Sequence, residues 1–241
     1  MNIIFDEGNT RTKVAWFDSG KLVESRVLNA EYNELEKLLS KFPVQRAIVS
    51  SVVGDDLYKA LKAMASFPVF QLSHNLRLPY KIGYTTPDTL GLDRIALAAA
   101  AASLHSGKNC LVIDAGTCIT YDLITENSVY LGGAISPGLQ MRFKAVNHFT
   151  AKLPLVSEED YEDLIGASTS SSIASGVVTG IKEEVRGTIQ RYEERFPQLI
   201  TIITGGDAGL FDALLKNSIF AAPEFLLRGL NNILDYHAEM L

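Results

Sequence analysis

The sequence predicts a duplicated α/β fold, two like units in tandem, and three observations lead there. Two short turns share one design, Asp6-Glu7-Gly8-Asn9-Thr10 and Asp114-Ala115-Gly116-Thr117. Each follows an apolar run (Ile3-Ile4-Phe5, Leu111-Val112-Ile113) and leads into another (Val14-Ala15-Trp16-Phe17, Cys118-Ile119-Thr120-Tyr121). The order of elements then repeats: three strands, a helix, a strand and a helix, once in each half. No linker rich in Pro, Gly or Ser and no low-complexity tract interrupts the chain. A length of 241 residues accommodates two domains that each bury a real core. The expected units are 1–106 and 107–241.

Taken in order, 2–5, 13–17 and 21–28 read as a meander of strands, joined at Gly8 and at Ser19-Gly20. Residues 31–42 place Leu35, Leu38 and Leu39 at helical spacing. Residues 47–49 form a short apolar strand, 57–65 a helix and 68–72 a strand. The stretch 79–88, with its tyrosines and Pro87, reads as an irregular loop. A helix is expected over 89–105, stopping near Gly107. The second meander begins at 110–113. Helices follow over 138–148 and 170–196, then a strand at 199–203 and helices at 209–215 and 224–241. Glu183, Glu184, Glu193 and Glu194 read as the wet face of the long helix.

Composition excludes several classes. The net charge of −6 argues against nucleic acid, whose backbone demands a basic surface. The most apolar stretch, 95–102, is too short to span a bilayer, and no basic segment with an apolar run behind it suggests a secretory signal. A cytoplasmic protein is expected. Cys110 and Cys118 sit in apolar runs and read as buried free thiols without metal-site spacing. His74, His105, His148 and His237 are scattered and carry no assigned chemistry.

The two turns suit a polyphosphate. Glycine lets backbone approach phosphate oxygens, the Thr hydroxyls and nearby N–H groups donate, and the strand-end Asp can hold a cation. One such turn is common hairpin punctuation; the pair implies two halves serving one nucleotide. Neither a Gly-x4-Gly-Lys-Ser/Thr loop nor a Gly-x-Gly-x-x-Gly turn after a strand is present. Thr204-Gly205-Gly206 follows a strand of Thr and Ile, and its glycines allow backbone to lie flat against an adenosine.

Paired turns of this form resemble the actin-like ATPase and sugar-kinase superfamily, and their wording resembles type III pantothenate kinases. Asp6 to Lys13 (DEGNTRTK) is similar to that family's first phosphate motif and Asp114 to Asp122 (DAGTCITYD) to its second. Gly91-Leu92-Asp93-Arg94, with Tyr84 upstream, is similar to its pantothenate motif. The segment GGAISPG at 132–138 resembles the glycine-proline turn that follows the family's second phosphate motif, and TAKLP at 150–154, GAST at 166–169 and TGGD at 204–207 complete the series in family order. Glu7, Leu92 and Cys118 depart from the commoner residues and bear on affinity and specificity.

The resemblance implies two ribonuclease-H-like domains with a nucleotide cleft between them, and an ATP-dependent kinase that phosphorylates the primary hydroxyl of pantothenate, the first step toward coenzyme A. It implies ATP contacts from Asp6, Glu7, Gly8, Asn9, Thr10, Arg11, Thr12, Lys13, Thr117, Gly205 and Gly206. Tyr84, Gly91, Leu92, Asp93, Arg94 and Thr169 would contact the acceptor, with Asp93 as general base. Asp6 would hold Mg²⁺ through water, and Asp114 a monovalent cation, K⁺ or NH₄⁺. A homodimer is also implied, without nucleic-acid or membrane partners. Read as residues alone, Asp93 is also a helix-terminus acid, Lys13 a strand-end lysine, and 95–102 either a dimer-packing face or core. Another small-acceptor kinase of the superfamily and a non-catalytic nucleotide-binding regulator are the rival functions.

Overall fold

The computed structural model describes residues 1–8, 11–28, 34–211, 219–220 and 224–240. They form two compact units. The first comprises Met1–Ser106, Ser128–Tyr130 and Glu224–Leu241; the second comprises Gly107–Asn127 and Leu131–Pro223.

In the first unit, β1 (Asn2–Glu7), β2 (Thr12–Asp18) and β3 (Lys21–Leu28) form the expected meander. Parallel strands β4 (Arg46–Ser51) and β5 (Val69–Gln71) complete a sheet of order β3-β2-β1-β4-β5. Ile3, Phe5, Val14 and Trp16 alternate inward and meet Leu35, Leu38, Leu57 and Leu61. Those leucines belong to α1 (Leu35–Ser40) and α2 (Asp56–Met64).

The expected helix over 89–105 is divided. A 3-10 turn spans Pro87–Thr89, Leu90 and Gly91 are extended, and α3 runs over Leu92–Leu104. Burial of Leu90 and a 2.8 Å hydrogen bond between His74 Nε2 and the Leu90 carbonyl hold this break. Within 79–88, read as a loop, β6 (Lys81–Ile82) pairs with Val129 and Tyr130.

Helix α6 (Phe225–Glu239) belongs to the first unit, although 107–241 reads in sequence as one stretch. It packs on α3, whose residues Ile95 to Ala102 are all buried. That alanine-rich face is core. A Cβ on Gly229 would lie 1.8 Å from the Ala96 carbonyl oxygen, so the helices touch through small residues. The Asn2 amide donates to Asn231 Oδ1 (2.8 Å) and Asp235 Oδ1 (2.7 Å), fixing α6 to the start of β1.

The second unit repeats the first sheet. Strands β7 (Cys110–Ala115), β8 (Cys118–Ile124) and β9 (Val129–Pro137) are followed by β10 (Ile200–Thr204) and β11 (Ile219–Phe220). The sheet has six strands in the order β6-β9-β8-β7-β10-β11; from β9 to β11 it follows the order of the first sheet, and β6 is added beyond β9. Helices α4 (Leu139–His148) and α5 (Thr169–Arg195) supply Phe143, Ala174, Val178, Ile181 and Val185 to the core.

Several expectations change here. The glycines at 132 and 133 lie within β9 and not in a turn; a side chain on Gly133 would collide with the Tyr121 carbonyl. The expected helix at 209–215 begins as a 3-10 turn, Ala208–Phe211, and 212–215 lies outside the described residues. Both cysteines are free, but only Cys110 is buried and Cys118 is half-buried. Burial pushes the Cys110 thiol up to about 11, so it stays protonated at neutral pH.

Candidate functional site

The first turn closes between the ends of β1 and β2. Gly8 N–H donates to the Arg11 carbonyl (3.1 Å) across residues 9 and 10; Asn9 and Thr10 themselves lie outside the described residues. Sheet register places Asp6 opposite Lys13 on one side and Ser50 on the other. Burial pushes the Asp6 carboxyl above its ordinary value; Lys13 pulls it down and Asp93 pushes it up again. Asp6, Lys13 and Asp93 therefore share one electrostatic neighbourhood, although Asp93 is remote in sequence. Thr12 is buried and Arg11 exposed. Glu7 is buried, and its Oε2 accepts a 2.6 Å hydrogen bond from the Ser51 hydroxyl, which in turn accepts from the N–H groups of Val53 and Gly54. Its carboxylate thus ties β1 to the end of β4.

The Gly91-to-Arg94 segment opens α3. Gly91 is the N-cap and Asp93 lies in the first helical turn, where the helix dipole favours a carboxylate. Asp93 is exposed, and its Oδ1 accepts from the Arg94 N–H (2.8 Å). Arg94 is buried, against the bland reading of a solvated arginine. Leu92 is half-buried beside them. Tyr84 meets the Tyr130 ring edge-on at 6.1 Å, and Gly83 N–H donates to the Tyr130 carbonyl (2.8 Å). All these residues lie in the first unit with the first turn.

Asp114, Thr117, Thr169, Gly205 and Gly206 lie in the second unit. Asp114, the penultimate residue of β7, lies directly beside Thr204 of β10, which sets the second turn against the Gly205-Gly206 turn. Gly205 has φ +98°, and a Cβ there would lie 2.3 Å from the Ala115 carbonyl oxygen and 2.5 Å from Asp114 Oδ1. Only glycine satisfies both constraints. Asp207 N–H donates to the Ala115 carbonyl (2.9 Å). Burial, with Glu158 acting the same way, pushes the Asp207 carboxyl up. Gly116 N–H donates to the Cys118 carbonyl (3.0 Å), leaving Thr117 exposed at the tip. Thr169 is exposed at the start of α5, one residue beyond the Ser168 cap that accepts from Ser171 N–H (3.1 Å).

A cation at either turn would have oxygen donors. Asp114 Oδ1 and the Ala115 carbonyl flank the space that a side chain at 205 would fill, a set suited to a hard or weakly hydrated cation that completes its shell with ligand and water oxygens. Among the described residues no group of three or more His, Cys, Asp or Glu gathers as a metal centre. A cavity of about 430 Å³ bounded by Leu131, Gly132, Arg191, Tyr192 and Arg195 contains none of the turn residues.

Sequence reasoning missed two groups. His74 holds the carbonyl that precedes Gly91. Glu184, read as a wet-face acid, is bound to Arg142 (2.6 Å) and Tyr121 (3.1 Å). Their partners are too distant in sequence for periodicity to reveal them.

A sequence model of the type III pantothenate kinase family matches residues 2–191. A type III pantothenate kinase of Christiangramia forsetii is 51% identical over 242 residues, covering 98% of this chain and 99% of the relative. That of Phocaeicola vulgatus is 43% identical and covers 100% of both. Among solved structures, the ROK hexokinase of Thermus thermophilus superposes with TM-score 0.57 at 15% identity, over 97% of this chain and 99% of that one. A glucokinase from an Antarctic psychrotroph gives 0.57 at 13%, over 98% of each. These structural likenesses bear on the fold, two ribonuclease-H-like units.

Proposed function

Because the chain belongs to the type III pantothenate kinase family, we propose that its turns at Gly8 and Gly116 bind phosphate oxygens of ATP and that Asp93 serves the acceptor hydroxyl. The enzyme is a kinase, and it phosphorylates pantothenate.

The pantothenate hydroxyl oxygen attacks the γ-phosphorus as the bond to the ADP bridging oxygen breaks, and the hydroxyl proton passes to the Asp93 carboxylate. Phosphoryl transfer needs in-line positioning and charge neutralisation more than covalent help. Lys13 contributes a point charge toward the phosphates, and Arg94 a planar fork for the acceptor. Tyr84, Gly91, Leu92 and Thr169 shape the acceptor pocket, and Gly205 and Gly206 leave room for the adenosine. Asn9, Thr10, Arg11, Thr12 and Thr117 complete the phosphate contacts, while Glu7 acts through Ser51. Asp6 would hold Mg²⁺ through water and Asp114 a K⁺ or NH₄⁺ ion, and these cations would supply positive charge against the transferring phosphates. The observation that carries this reading is the coupling of Asp93 to Asp6, which brings the acceptor motif and the first phosphate turn into one field.

The product is 4'-phosphopantothenate, the first intermediate toward coenzyme A, made in the cytoplasm. The enzyme works as a homodimer without nucleic-acid or membrane partners. The alanine face of α3 is unavailable for that contact, being core. Support comes instead from exposed apolar side chains of the second unit, Ile135 (64%), Phe149 (82%), Leu164 (64%) and Ile165 (83%). No described helix is long and apolar enough to cross a membrane.

ADP release measured across a panel of pantothenate, hexoses, N-acetylated sugars and small hydroxy acids tests the whole reading. Turnover confined to pantothenate is expected. Turnover on a sugar alone would overturn it, and tight ATP binding with no turnover would point to a regulator.

A further inference from the structure

The end of β9 and the start of α4 are held by a side-chain cluster outside both glycine turns. The Arg142 guanidinium donates from Nε to the Pro137 carbonyl (2.9 Å). Its Nη2 donates to Ser136 Oγ (3.0 Å) and to Glu184 Oε2 (2.6 Å). Glu184 Oε1 accepts from the Tyr121 hydroxyl (3.1 Å). Burial alone would raise the Glu184 carboxyl, but hydrogen bonds from Arg142 and Ser136 outweigh it and hold the group below the ordinary carboxylate range. Burial, with Glu184 beside it, pushes the Tyr121 phenol well up. At neutral pH the cluster is thus one cation, one anion and one neutral phenol, matched in donors and acceptors.

One residue beyond Pro137, Gly138 lies against the second turn. Its N–H donates to the Thr117 carbonyl (3.1 Å). A Cβ on it would lie 2.1 Å from the Gly116 oxygen and 2.5 Å from the Thr117 oxygen. Backbone here touches backbone with nothing compressible between. The guanidinium fixes the Pro137 carbonyl, Pro137 fixes Gly138, and Gly138 fixes the Gly116-Thr117 peptide. Tyr121, on the strand leaving the turn, closes the circuit through Glu184.

We propose that Arg142 and Glu184 are positioning residues for the second glycine turn, setting where its backbone and the exposed Thr117 at its tip stand toward the ATP phosphates. The inference rests on the reading that this turn binds phosphate. Neither side chain needs to touch the nucleotide. A planar, five-donor fork suits the task because three acceptors from two elements, β9 and α5, converge on it, which a lysine cannot reproduce.

The test is equilibrium binding of ATP and of adenosine, without acceptor, to the parent, Arg142→Gln, Arg142→Lys and Glu184→Gln, with Tm recorded for each. Losing or misdirecting one hydrogen bond to a charged phosphate costs roughly tenfold or more in affinity. ATP affinity should therefore fall roughly tenfold or more in Arg142→Gln, while adenosine affinity stays within about twofold. Arg142→Lys should recover part of the loss, and Glu184→Gln should move ATP the same way by a smaller factor. Equal weakening of ATP and adenosine, or unchanged ATP affinity despite a lowered Tm, would reduce the cluster to a structural ion pair and overturn the proposal. If Arg142→Gln does not fold, the near-isosteric Glu184→Gln decides by the same ratio. Failure of the kinase reading shows separately, as a parent that binds ATP but leaves pantothenate unchanged.

Discussion

Asp93 and Asp6 are two carboxylates of one neighbourhood with different expected behaviour. Replacing Asp93 by Asn should lower kcat by about 10²- to 10⁴-fold, the usual worth of a general base. ATP affinity and Tm should hold, since Asn serves nearly as well near a helix N-terminus. A folded variant with near-parent turnover would leave Asp93 as a helix-terminus acid only. For Asp6, burial and Asp93 raise the folded-state value above the ordinary 3.8. The native state then holds its proton more tightly than the unfolded chain, so Asp6 contributes a stability that is lost as pH rises from 3.8 through the folded value. At neutral pH the ionised carboxylate is a cost borne for function. Asp6→Asn should therefore melt no lower than the parent at pH 7, with any gap closing as pH falls through that window, while kinase activity drops. A lower Tm at pH 7 would show that Asp6 stabilises the fold. Asp6 was legible as a candidate because a strand-end Asp before Gly and Thr is a local pattern, whereas Asp93, in the first turn of α3, was singled out only by its likeness to the family's pantothenate motif. The buried partners of Glu7 and Glu184 were not legible, because Ser51, Arg142 and Tyr121 arrive through the fold.

Among the elements, the strands of the first meander and the first two of the second could be read from their apolar runs, and the long helix over Thr169–Arg195 from its length and cap. The break at Leu90 and Gly91 could not, because it depends on burial of Leu90 and on His74. Nor could the strand at Val129–Pro137, whose glycines resemble the family's turn, although Gly133 is needed for close strand approach. The contact between α3 and α6 leaves little room for change. A methyl on Gly229 would lie 1.8 Å from the Ala96 oxygen and 2.7 Å from its carbon, so the helices would have to separate. Gly229→Ala gains about 1 kcal/mol in helix propensity, but overpacking costs typically 1–3 kcal/mol. With 1 kcal/mol worth roughly 2–4 °C in a chain of this size, thermal denaturation should show a net fall of a few degrees. A rise in Tm would mean that the interface is looser than this geometry.

At the scale of the whole chain, repetition is the informative fact: order β3-β2-β1-β4-β5 recurs as β9-β8-β7-β10-β11, with β6 added at the β9 edge. The sequence announced it through two glycine turns, each closing the first hairpin of its sheet. A monovalent cation at Asp114 would make catalysis depend on bulk salt. Exchanging Na⁺ for K⁺ at constant Mg²⁺ should raise turnover several-fold, a large weakly hydrated ion suiting a loose oxygen cage. Equal rates would leave Asp114 to Mg²⁺ or to the fold. What chain order concealed is that Glu224–Leu241 belongs with Met1–Ser106. A ribosome releases the polypeptide from its N-terminus, so the alanine surface of α3 emerges long before its cover is synthesised. The later-made unit can close first, while the earlier one waits with Ile95 to Ala102 bare. Nascent chains stalled short of residue 224 should accordingly recruit chaperones through their oldest segment, not their newest.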